Sequence, residues 1–103
     1  MTDSGGETAK LTFTRTTAYP PFRLDETEVV VRRAERALGL LGIAPNHVFS
    51  NGGLDANWLD KAGIPTVTIS AGQAEIHTVK EYVDIADYVT GCRLAVLMAT
   101  LDD

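Results

Sequence analysis

The sequence predicts an α/β fold, a β-α-β-α-β-α fragment with a mainly parallel sheet. Three observations predict it. One segment alternates apolar residues with threonines, and two others are short runs read as strands. Two longer segments carry apolar residues at helical spacing. The two kinds alternate along the chain, as they do where helices cross between parallel strands.

The first strand is read over Leu11 to Tyr19, where Leu11 and Phe13 alternate with Thr12, Thr14 and Thr16. Tyr19-Pro20-Pro21-Phe22 stops it, because proline cannot donate to a ladder. A helix is predicted from Asp25, an N-cap type, with Glu28 three residues on and Leu24 placed to staple onto Val29. Its stripe is Val30, Ala34, Ala37, Leu38 and Leu41, and Gly42 and Pro45 end it. A second strand is read over His47 to Ser50. After the turn Asn51-Gly52-Gly53-Leu54, Asp55 caps a two-turn helix that closes at Gly63. Pro65 leads into a third strand, Thr66 to Ser70, and Ala71 to Tyr82 reads as irregular.

The last helix is predicted from Asp84 to about Leu101. Ile85, Tyr88, Val89, Cys92, Ala95, Val96 and Ala99 form one apolar stripe, and Leu94, Leu97, Met98 and Leu101 form a second. A helix apolar on most of its circumference is buried on most of it, and 103 residues offer little else to cover both faces. The expectation is that the second stripe is covered by another chain, in a homodimer, or by a missing part of the same protein.

Composition narrows the function classes. Hydrophobic content of 45% with 22% charged residues is that of a globular chain. A net charge of −5 with scattered basic residues argues against a nucleic-acid partner. The apolar runs fall far short of a membrane span. The first six residues lack the basic and apolar regions of a signal peptide, and residues 1–8 are expected to be a disordered end. The single cysteine, Cys92, rules out an internal disulfide and fits a cytoplasmic location.

Two segments hold residues suited to chemistry, Ser50 to Asn57 and Ile76 to Tyr82. Both follow predicted strands, at the sheet edge where open α/β sheets bind ligands. Gly52 and Gly53 let backbone approach a ligand closely, and the following helix start offers unpaired N–H groups. A tight strand-to-helix turn capped by Asp55 accounts for the same residues and is the commoner arrangement. His77 sits among polar residues in a loop, where a histidine titrates or binds a metal, though most loop histidines do neither. The other histidine, His47, heads its strand, so parallel strands of five residues or so would keep the two roughly 15–17 Å apart. With no Cys-x-x-Cys or His-x-x-x-His, the chain by itself builds no metal centre.

Taken together, Ser50-Asn51-Gly52-Gly53-Leu54-Asp55-Ala56-Asn57, Gly63-Ile64-Pro65-Thr66-Val67 and Ile76-His77-Thr78-Val79-Lys80-Glu81-Tyr82 resemble the closing third of peptidase T-like enzymes. These belong to the two-zinc exopeptidases that include glutamate carboxypeptidases and diaminopimelate desuccinylases. The resemblance runs from about Leu11 to Thr100. It implies residues 9–22 as the last strand of a lid domain and its linker, and 23–103 as the C-terminal part of a zinc peptidase catalytic domain. It implies His77 as one ligand of one of two zinc ions, and Gly52, Gly53, Asp55 and Asn57 as substrate-binding. The remaining ligands and the general base lie upstream in the family, so no catalytic residue is expected in this chain. The implied partners are the N-terminal part of the catalytic domain and a short peptide substrate. The alternative is a non-catalytic module or split-enzyme subunit that binds a partner through its last helix.

Overall fold

Gly42 and Gly63, the two glycines expected to stop helices, do so by the same device. In the computed structural model, which describes residues 4–102, both have left-handed backbones, at φ 71° and 85°. After α1 (Val29–Leu40) the Gly42 N–H reaches Gly39 O and the Ile43 N–H reaches Leu38 O. After α2 (Asp55–Lys61) the Gly63 N–H reaches Asp60 O and the Ile64 N–H reaches Leu59 O. Each is a Schellman motif that satisfies carbonyls the helix leaves open. The following Pro45 and Pro65 prevent either helix from resuming.

The start of α1 differs from expectation. Asp25 caps a separate turn, its Oδ1 accepting from the Thr27 N–H at 2.8 Å and from the Thr27 hydroxyl at 2.6 Å. The helix begins one turn later at Val29, with Glu28 as its N-cap residue. Val29 is 71% exposed, so the staple from Leu24 does not bury it. Asp25 has an i+2 backbone donor within reach, and that local bond competes with helix propagation. The expected stripe is otherwise in place: Ala34 and Ala37 are buried and Val30, Leu38 and Leu41 are half-buried, with Val31 buried as well.

α3 (Ile85–Thr100) is capped by Asp84, whose Oδ1 accepts the Asp87 N–H at 2.9 Å. It packs on α1. Arg33 Nη1 donates to Met98 O, in the last turn of α3, at 2.9 Å and Arg36 Nη1 to Asp102 O, just beyond the helix, at 3.1 Å. The two apolar stripes of α3 are assigned the opposite way from expectation. Leu94 is buried and Leu97, Met98 and Leu101 are half-buried, so the second stripe is the one covered within the chain. The first stripe is open, with Ile85, Tyr88, Val89 and Val96 between 43% and 70% exposed. Both faces are apolar, and the position of α1 alone decides which is covered.

The sheet is where the structure departs most from the sequence. Among the described residues the only sheet is a two-residue antiparallel pair, β1 (Gln73–Ala74) with β2 (Tyr82–Val83). It begins inside the stretch read as irregular, Ala71 to Tyr82, and ends one residue beyond it. The segments read as strands over Leu11 to Tyr19, His47 to Ser50 and Thr66 to Ser70 form no ladder. A strand persists by pairing its N–H and C=O groups with a neighbouring strand, and among the described residues none of these three is paired in that way. Leu11, Phe13, Val48 and Phe49 are accordingly 74–89% exposed. The radius of gyration is 20.7 Å, against about 13 Å for a compact domain of 100 residues. No helix among the described residues is long and apolar enough to cross a membrane.

Candidate functional site

The loop that carries His77 is built on the first turn of α3. Gly72, at φ 78°, lies so close to that turn that a Cβ would fall 2.8 Å from Asp87 Cβ and 2.9 Å from the Tyr88 nitrogen. The Asp84 N–H donates to Gly72 O at 3.0 Å, and the β1–β2 pair closes the loop above it. Residues 75–81 then turn twice through left-handed backbone, at Glu75 (φ 50°) and His77 (φ 66°).

Thr78 and Glu81 hold this conformation. The Thr78 hydroxyl donates to Glu75 O at 2.7 Å and accepts the Lys80 N–H at 3.2 Å. The Thr78 N–H also points to Glu75 O, and the Glu81 N–H to Thr78 O, both at 3.2 Å. Glu81 Oε2 accepts the His77 N–H at 2.8 Å. A left-handed backbone costs an ordinary residue roughly 1–2 kcal/mol. A hydrogen bond to a charged acceptor contributes about 1.5–3 kcal/mol, nearer the low end on an exposed loop. The carboxylate therefore offsets the strain at His77. Glu81 is the residue that reading the sequence assigned no role, although the four-residue spacing from His77 was visible in the motif.

His77 is exposed, and among the described residues its ring makes no hydrogen bond. His47 is placed quite differently. Its Nδ1 lies 3.4 Å from Glu26 Oε1 and its Nε2 lies 3.1 Å from Glu35 Oε1, which fastens it beside α1. No group of three His, Cys, Asp or Glu residues that could hold a metal occurs among the described residues. His77 thus offers one imidazole, and no described residues join it in a group that could hold a metal.

The Gly-Gly turn is held by the segment that precedes α1. The Tyr19 ring lies over Gly53, where a Cβ would collide with it, and the Tyr19 hydroxyl donates to Asn51 O at 3.3 Å. Asn57 is 5% exposed and uses both ends of its amide. Its Oδ1 accepts the Leu54 N–H at 2.9 Å, and its Nδ2 donates to Pro20 O at 2.8 Å. Asp55, expected to cap α2, is instead its first residue and is exposed, and Leu54 is the N-cap residue. The Gly52 N–H bonds Ser50 Oγ at 3.2 Å. The turn is fastened to Tyr19 and Pro20, and the His77 loop to the start of α3.

The comparisons agree with one another. Peptidase family M20/M25/M40 matches residues 5–101. The uncharacterized protein YqjE of Bacillus subtilis (strain 168) is 35% identical over 78 residues, which cover 76% of this chain and 21% of that protein. The crystal structure of aminopeptidase PepT from Bacillus cereus superposes with a TM-score of 0.72 at 36% identity, covering 78% of this chain and 21% of that one. This chain spans about a fifth of the length of these relatives. With a family match across nearly its whole length, the chain belongs to peptidase family M20/M25/M40.

Proposed function

We infer that this chain is the C-terminal segment of a two-zinc metallopeptidase of the peptidase T kind, which hydrolyses short peptides as an aminopeptidase and is inactive as this segment alone. The observation that carries the reading is the exposed, unpartnered His77 ring on a braced loop, in a chain that superposes on an aminopeptidase at 36% identity. His77 supplies one neutral imidazole to one zinc ion, and the other ligands belong to the N-terminal part of the catalytic domain. Ions held there would supply Lewis-acid chemistry toward the scissile carbonyl and a water.

The chain's own residues do the placing. Gly52, Gly53 and Asp55 present backbone and a carboxylate to the peptide at the edge of the cleft. Asn57 keeps that edge in register by tying α2 to Pro20. Residues 9–22 are the last lid strand and linker, a reading supported by the family match, which runs through them from residue 5 to 101. The open stripe of α3 supports the same reading, since it faces the remainder of the domain.

The test assays the purified chain with tripeptides and added zinc or cobalt, alone and then joined to the rest of a catalytic domain. No turnover alone and turnover when joined is the expected result. In the joined enzyme, His77→Ala loses one metal ion and most activity with the fold intact, while His47→Ala loses neither. Turnover by the chain alone, after removal of contaminating peptidases, overturns its assignment as an inactive segment. A second reading is favoured by the open stripe of α3, namely a split-enzyme subunit or non-catalytic module that docks through this helix. No turnover after joining supports it.

A further inference from the structure

Glu81 lies four residues beyond His77, and its side chain turns back to accept the His77 backbone N–H at 2.8 Å. An exposed carboxylate is well solvated and needs a reason to fold back on its own chain. Here the backbone supplies one. Tyr82 is fixed by its pairing with Ala74, and the Glu81 N–H is held on Thr78 O, so the Glu81 side chain starts directly across the loop from His77. His77 meanwhile sits at φ 66°, a conformation that directs its side chain away from the course an extended loop would give.

We propose that Glu81 is a positioning residue for His77: its carboxylate holds the left-handed backbone that sets where the imidazole is presented to a divalent metal ion. This rests on the reading of His77 as a ligand, and it adds a residue that acts through the ligand's backbone. The usual outer partner of a metal-bound histidine engages the second ring nitrogen. Glu81 leaves both ring nitrogens free and acts one step further back.

The test uses Glu81→Ala and Glu81→Gln, with His77→Ala as the control. In the 103-residue chain, amide hydrogen exchange of His77 is followed by NMR. Glu81→Ala is expected to accelerate it about tenfold, the loss of one charge-assisted bond. Glu81→Gln, whose carbonyl oxygen still accepts the N–H, is expected to restore most of the protection. In the joined enzyme, zinc affinity measured by competition with a chelator is expected to fall about 10- to 100-fold in Glu81→Ala, the size of effect seen for outer-shell partners. Glu81→Gln should again recover most of it, which separates positioning from direct ligation, because an amide oxygen is a poor zinc ligand. Unchanged His77 exchange in Glu81→Ala overturns the proposal, as does a Gln variant as impaired as the Ala variant. If His77→Ala keeps both ions, the assignment of His77 as a ligand has failed. If His77→Ala loses one ion while Glu81→Ala binds as the parent does, only the role of Glu81 has.

Discussion

Gly72 shows how a single missing atom places the His77 loop. Its left-handed backbone and its approach to the first turn of α3 leave no room for a methyl group, since the nearest atoms include the Tyr88 backbone nitrogen. Gly72→Ala is expected to cost about 1–2 kcal/mol from backbone conformation alone, with the clash added to it. Faster hydrogen exchange at Asp84 and Tyr82, beside the bond to Gly72 O, is the measurement; protection equal to the parent's would show that the segment shifts freely. Asp25 offers a residue-scale test in pH. The hydrogen bond from the Thr27 hydroxyl, then that from the Thr27 N–H, and the charge of Arg23 hold its carboxyl below the ordinary 3.8, with slight desolvation opposing them. A lowered folded pKa stabilises the turn at pH above 3.8, and that contribution is lost as pH falls through the folded value. The Thr27 amide resonance should therefore titrate below pH 3.8; a midpoint at or above it would mean that the turn does not form.

At the scale of elements, the helices were legible and the strands were not. The stop signals of α1 and α2, and the Asp84 cap of α3, are local: a glycine able to adopt positive φ, a proline beyond it, a carboxylate before the first turn. Such signals act within a few residues, so the sequence reveals them. The start of α1 was misplaced because Asp25 had two local uses, and the turn with Thr27 prevailed. Strand identity depends on a neighbour that sequence periodicity does not contain. Asn57 is the link between elements that position alone did not reveal, because its second partner, Pro20, lies 37 residues away. Asn57→Ala is expected to remove two bonds from a buried amide and to cost about 1–3 kcal/mol. It should speed exchange at Leu54 while leaving α3 protected, and unchanged Leu54 exchange would count against the link.

For the molecule as a whole, the open stripe of α3 is an unsatisfied apolar surface carried by a regular element. Ile85, Tyr88, Val89 and Val96 are exposed beside a shallow apolar groove lined by Leu41, Cys92 and Leu97. Covering each such side chain contributes up to about 1.5–3 kcal/mol. At high micromolar concentration the chain is expected to sediment faster than an 11.1 kDa monomer, and Val89→Asp with Val96→Asp to abolish the association. A clean monomer for the parent chain would overturn this expectation.

What the sequence determined by itself was the set of helices, where each of them stops, the two segments suited to chemistry and the family to which their spacing points. Those features are encoded locally, in capping chemistry, in helical periodicity and in residue order along short motifs. The tertiary structure decided which stripe of α3 is covered, that Gly53 and Asn57 serve the Tyr19–Pro20 segment, and that Glu81 braces His77. Each of those depends on where a distant or folded-back group arrives. Two apolar faces of one helix are distinguished only by what is placed beside them.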